Sequence, residues 1–427
     1  MNLRIHVLTQ SSILLLITNL VLSACARPDK GPSPFDFLNT PGPEPMELPS
    51  SPVDAPDFNI LPDAELVFSP STVGFSISDF IENKDGFLAG YEEVVDEHRL
   101  TGAQILERIS REYSVHPRLL LAVLEYTGGW VNAAEGKMIS SYPIYQDATS
   151  QTPLFSQLSW VADTLNFGFY SRRVGGLTRI WTTDGVEVIL SLEVSDASAA
   201  VGYLFSKLYG YYDWISVVGP MGLFSQFTAF FGNPQEFEEI ILNSPNLTQP
   251  ALSLPFSMGE GWFFTSGPHS AWGTGAAWAA LDFAPDEDGV GCYQSVSWVT
   301  AVADGVVSRV GDGIVVQDLD GDGEEGSGWT ILYMHIAEEG KAEPGTFLKA
   351  GEHIGHPSCE GGPSSGTHVH IARRYNGEWI PADQNIPFNL SGWVSRGDGV
   401  EYDGRMIYGQ IEIVASGFPT DENKILY

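Results

Sequence analysis

The run "GTHVHIARR", residues 366–374, constrains this chain more than any other feature. Successive side chains on a β-strand point to opposite faces, so residues two apart share a face about 6.6 Å apart. His368 and His370 therefore share one face, and Val369 and Ile371 take the other. A packed core seldom holds two imidazoles side by side. A metal site does.

The surrounding sequence extends the strand pattern. After Pro250, short apolar runs alternate with glycine: "AWAALDFAP", "WVTAVADGVVSRVGDGIVVQD", "GWTILYMHIA", "AGEHIGH" and "THVHIARRYNGEWI". No helical periodicity of useful length interrupts them. The pattern predicts an antiparallel β sandwich or partly closed barrel over residues 249–427. Of nine histidines in the chain, six fall in residues 269–370, so further ligands are expected there. A catalytic zinc usually takes three protein ligands and keeps one position open. His269 in "SGPHSAWGTG", Asp282 in "ALDFA" and His335 in "ILYMHIA" are the candidates. Alternation places His335 on the strand face of Tyr333 and Ile331. His353 and His356 flank Gly355 and read as turn or rim residues. A helical "H-E-x-x-H" site is absent from the sequence.

The ordered set resembles the lysostaphin-like (LytM-like) zinc metalloendopeptidases, the M23 family with the duplicated hybrid motif fold. His269…Asp282, "WVTAVADGVV", "YMH", "GEHIG" and "GTHVH" follow the family order. The gap between His269 and Asp282 is closer to that of the beta-lytic and staphylolytic branch. The resemblance implies that His269, Asp282 and His370 hold zinc. It implies that His368 is the general base, and that His335 orients the attacking water or stabilises the oxyanion. It also implies peptidoglycan peptide cross-links or stems as substrate. Two alternatives stand beside this reading. One is an inactive murein-binding protein that activates partner cell-wall hydrolases. The other is a calcium-dependent glycan-binding or structural surface lipoprotein.

Residues 61–248 read as mainly helical. Thr101 and Gln104 can form a capping box, and Pro117 fits a first helical turn. Helices are expected over Pro153–Leu165 and Ala197–Leu208, with a hairpin turning at Asp184-Gly185 between them. "YSVHPRLLLAVLEYTGGW" resembles the start of soluble lytic transglycosylase and goose-type lysozyme domains. That family's catalytic "E-S-G" is Thr127-Gly128-Gly129 here, and a threonine hydroxyl is far too weak an acid for the role. The expectation is a degenerate lysozyme-like domain, with an unrelated helical spacer as the other reading.

Residues 1–25 read as an export signal too short for a membrane span. Leu22-Ser-Ala-Cys25 resembles a lipoprotein lipobox, which implies a lipid on Cys25 and an extracytoplasmic, membrane-anchored protein. Residues 26–60 read as a Pro- and Ser-rich tether. Of three cysteines, Cys292 and Cys359 then remain. In an exported chain they are expected to form a disulfide, two buried free thiols being the alternative. Formal charge is −33, which argues against nucleic-acid and anionic-lipid partners. In "DLDGDGEEG", Asp318, Asp320 and Asp322 begin like an EF-hand loop, but position 329 is Trp where the bidentate Glu belongs. A solvated acidic turn and a Ca2+-bound hairpin tip are both compatible with it.

Overall fold

The computed structural model describes residues 47–132, 142–144, 152–237, 239–242 and 244–427. The Cys25 lipobox and most of the tether lie outside the described residues. Among those described, no helix is long and apolar enough to cross a membrane. Ordered structure begins before residue 61: Val53–Asp54 pairs as a strand with Glu187–Ile189, and Ile60 is buried.

Among the described residues, seven α-helices precede the main sheet: α1 (Ile77–Lys84), α2 (Gly102–Tyr113), α3 (Pro117–Gly128), α4 (Leu154–Arg173), α5 (Asp196–Ser206), α6 (Tyr211–Val217) and α7 (Leu223–Phe231). Local chemistry sets several ends. Thr101 and Gln104 close a reciprocal capping box on α2. Pro117 opens α3, and Gly129 ends it in the left-handed conformation that glycine adopts without steric cost. α4 lies close on α5 because Gly168 has no side chain; a Cβ there would stand 2.8 Å from Ala200 Cα. The expected hairpin forms between Arg179–Trp181 and Glu187–Ile189.

The main sheet has nine strands: β1 (Gly261–His269), β2 (Ala280–Pro285), β3 (Gly305–Gly311), β4 (Ile314–Asp318), β5 (Trp329–Met334), β6 (Phe347–Leu348), β7 (Val369–Tyr375), β8 (Glu378–Trp379) and β9 (Lys424–Leu426). The order is β6-β3-β4-β5-β7-β2-β1-β9, with β8 also pairing with β7. Neighbouring strands are antiparallel.

This corrects the expected sandwich or barrel with a separate lysozyme-like helical domain. The sheet stays open, with β6 and β9 as its edges. Other strands form a four-stranded sheet over Asn389–Val414 and a pair joining Val299–Thr300 to His353–Gly355. The helical region carries small sheets of its own. The physical reason is burial on both faces. Val315, Ile331, Tyr333, Val369 and Ile371 face one core, which includes Phe388, Leu390 and Met406 from around the four-stranded sheet. Ile314, Val316, Leu332 and Ala372 face the other, which is built mostly from the helices. A sheet covered twice needs no closure to hide apolar surface. Its central strands read as nearly continuous buried runs, as doubly covered strands do.

Polar contacts tie helices to sheet. Glu325 receives Arg309, Arg374 and, from α2, Arg111, at 2.7, 2.9 and 3.3 Å. Arg173 on α4 pairs with Glu378 at 3.0 Å. Ser114 Oγ donates to Gly377 O, and Trp379 N donates to Tyr170 Oη. Asp163 Oδ1 accepts from both Thr274 N and Gly275 N at 2.8 Å.

Candidate metal centre

The site lies on the sheet face turned toward the helices. In register, Met334 stands opposite His370, His370 opposite Asp282, and Asp282 opposite Ser266. His370 and Asp282 are thus direct cross-strand neighbours on β7 and β2. His269 ends β1 after two register irregularities, and such irregularities bend a strand and re-aim its side chains. All three groups are at least 94% buried.

Their donor atoms form a triangle. His269 Nε2 is 3.0 Å from His370 Nδ1. Asp282 Oδ1 is 3.3 Å from each. Ligand atoms around a tetrahedral zinc stand about 3.3 Å apart, given bonds of about 2.0–2.2 Å. Backbone carbonyls set the tautomers. His269 Nδ1–H donates to Gly267 O, and His370 Nε2–H donates to Ala271 O. Each therefore turns a lone pair to the centre of the triangle. Among the described residues, Asp282 Oδ1 has no hydrogen-bond donor. Two lone pairs and an orphaned carboxylate oxygen, buried together, make a set that a divalent cation satisfies. The residues fit zinc.

The electrostatics agree with the geometry. Burial disfavours an ionised Asp282, but His269 and His368 outweigh it and hold the carboxyl well below its usual range. Burial likewise opposes a charged His269, yet Asp282 carries its pKa above the ordinary value. His370 is lowered, chiefly by burial. Burial, with His368 and His370 beside it, brings His335 down to about 4, so this ring is neutral near pH 7.

His368 and His335 stand beside the triangle, with ring centroids 4.4 Å apart. His368 Nδ1–H donates to Gly366 O at 2.8 Å, and Nε2 lies 3.6 Å from Asp282 Oδ2. His335 Nδ1–H donates to Glu360 O at 2.8 Å. With Nδ1–H committed to a carbonyl, each ring in its neutral form keeps Nε2 as an acceptor. The expected face of His335 is wrong. Alternation would put it with Tyr333, whose hydroxyl is buried in the opposite core against Val302 N and Gln317. His335 instead follows the end of β5 with φ 64°, and this left-handed residue turns the ring to the side of His370.

Other expectations fall as follows. Cys292 and Cys359 form the disulfide. The carboxylates of Asp318, Asp320 and Asp322 converge. Each accepts N–H groups of its own loop, from Asp320 and Gly323, Asp322, and Glu324 respectively, which accounts for the closed turn without an ion. Glu125 is held by Val131 N, Asn132 N and the Asn132 amide, so it latches the chain after α3. The sequence reading missed Tyr402, whose ring stacks on His269 at 4.8 Å and is 53% exposed. It also missed Glu401, which accepts from Ser270 N. Neither sits in a motif; both come from a glycine- and aspartate-rich turn some 130 residues from His269 in sequence.

The chain is similar to known proteins. Residues 59–246 match the family model described as LasA, N-terminal domain. Protease LasA from Pseudomonas aeruginosa is 24% identical over 308 residues, covering 65% of this chain and 67% of the relative. The chain is related to the LasA-like M23 metalloendopeptidases. LasA from a second strain of that species is 23% identical over 307 residues. Among solved structures, the deep-sea M23 metalloprotease pseudoalterin is similar at 25% identity, with a TM-score of 0.33, covering 40% of this chain and 96% of its own. The helical region thus matches a LasA-type N-terminal domain where a lysozyme-like domain was expected.

Proposed function

We propose that this protein is a zinc endopeptidase that hydrolyses peptide bonds in bacterial peptidoglycan cross-links or stems. The observation that carries the reading is the orphaned Asp282 Oδ1 inside a triangle of imidazole lone pairs, with two more acceptor imidazoles beside it. His269, Asp282 and His370 would hold the zinc. Zinc bound there would polarise the scissile carbonyl and acidify the attacking water.

The remaining steps belong to the chain. His368 Nε2, a free acceptor aimed at the Asp282 side of the site, takes the proton from the water and delivers it to the leaving amine. His335, neutral and also an acceptor, holds the water in line. It can donate to an oxyanion only after protonation, because its Nδ1–H is committed to Glu360 O. Tyr402 walls the site on the side of His269. The choice of peptidoglycan rests on the family resemblance of the ordered motifs. An extracytoplasmic, lipid-anchored location follows from the Leu22–Cys25 lipobox.

The test is digestion of purified peptidoglycan by the zinc-loaded chain, with products read by mass spectrometry. New amino termini that disappear with a chelator are expected. Products bearing only new reducing sugar ends, or no products at all, would refute the reading.

A further inference from the structure

Neither His335 nor His368 lies within a regular strand: β5 ends at Met334 and β7 begins at Val369. Each ring hangs one residue past a ladder that could fix it. What fixes them is a turn, Ser358-Cys359-Glu360. Ser358 N donates to His335 O at 2.6 Å, and Ser358 Oγ lies 3.2 Å from the same carbonyl. Ser358 O accepts from His368 N at 3.4 Å. Ser358 Oγ also accepts from Glu360 N at 3.0 Å, which anchors the residue whose carbonyl receives His335 Nδ1–H. One buried serine thus touches the backbone of both histidines and steadies the acceptor for one ring.

The disulfide fastens this turn to a second loop. Cys359 lies inside the turn, and its partner Cys292 is 67 residues away in sequence. The neighbours of Cys292 grip the residue before His368. Gly291 O accepts from Thr367 N at 3.0 Å, and Tyr293 N donates to Thr367 Oγ1 at 2.9 Å. Ser295 N also donates to Pro357 O. The metal ligands draw on other supports: strand register for Asp282, Gly267 O for His269 and Ala271 O for His370.

We propose that Ser358 and the Cys292–Cys359 bond are positioning residues for the reaction, a clamp that sets the His335/His368 pair while leaving the metal triangle unaffected. This rests on the reading above of those imidazoles as the groups that handle water. It also makes activity thiol-sensitive without making metal binding so.

The experiment compares the full chain with Ser358→Ala and with the Cys292→Ala/Cys359→Ala double variant, each checked for folding by its melting transition. Zinc content should equal that of the parent. kcat should fall about 10–100-fold, the usual loss when an orienting partner is removed, with KM changed less than about threefold. A second readout does not need turnover. In the chain labelled with 15N-histidine, the His335 Nδ1–H resonance, protected from exchange by Glu360 O, should broaden or vanish in both variants and in reduced parent protein. Unchanged kcat and an unchanged His335 signal would overturn the clamp. Zinc lost in step with rate would also overturn it, because the turn would then belong to the metal framework. If the parent itself cleaves nothing, the endopeptidase reading fails, and the imidazole signal still decides the clamp.

Discussion

Asp282 faces His370 directly across the β2–β7 ladder, with Oδ1 3.3 Å from Nδ1 and no donor upon it among the described residues. A buried carboxylate oxygen left in this state is costly unless a cation joins it. His370→Ala and Asp282→Ala should each lose most of about one zinc per chain, since three ligands fall to two. Elemental analysis after gel filtration checks this. Full zinc occupancy in either variant would remove the assignment.

His368→Ala should behave differently from its neighbour two residues away. His368 Nε2 is directed at Asp282 Oδ2, while the other carboxylate oxygen belongs to the triangle. Zinc content should stay at the parental level. Peptide hydrolysis should fall about 10²–10⁴-fold, the range for a positioned acid or base. The ratio of zinc content to rate is the measurement; loss of both together would make His368 a ligand.

Glu325 gives a pH-dependent prediction. Burial by itself would raise its carboxyl, but Arg309, Arg374 and Arg111 outweigh burial and take it from its ordinary 4.5 down to about 2. A carboxyl depressed in the folded state stabilises the fold at pH above its unfolded value, and that stability drains away as pH falls through the folded value. The gap corresponds to about 3 kcal/mol, present above about pH 4.5 and lost toward pH 2. Glu325→Gln should therefore be markedly less stable than the parent at pH 7, and the difference should shrink by pH 3. Chemical denaturation of both proteins at the two pH values reads it. A difference that does not change with pH would defeat the prediction.

The legible parts of this molecule were those with local causes. The Thr101 box, the Pro117 start and the Gly185 turn each follow from a few neighbouring residues. His368 and His370 reach one site, as alternation suggests, although His368 stands just before β7 and is held there by a turn. What was not legible depended on distant packing. The sheet stays open because helices cover one face, and nothing within "GIVVQD" announces that partner. His335 was placed on the wrong face because a single left-handed residue defeats alternation, and histidine carries no mark of it. Tyr402 was invisible because it reaches His269 from a turn in another sheet.

Asp163 links the helices to the metal centre, and this yields the last prediction. Its Oδ1 receives Thr274 N and Gly275 N, and Thr274 Oγ1 donates to Oδ2. That grip holds the turn which follows His269. The same turn supplies Ala271 O, the acceptor for His370 Nε2–H, and it closes on itself through Ala271 N to Ala277 O. A loosened turn would free the His370 ring to rotate and to change tautomer, and Nδ1 would present its lone pair less of the time. Orienting partners of ligands are worth about 10–100-fold in metal affinity, and Asp163 acts one step further out, so about 3–10-fold is expected for Asp163→Ala. Asp163→Asn keeps an oxygen for the two backbone N–H groups and should recover most of the loss. Zinc affinity from chelator competition, with thermal unfolding run in parallel, separates this from general destabilisation. An Asp163→Ala protein that binds zinc as tightly as the parent would show that the helices cover the site without supporting it.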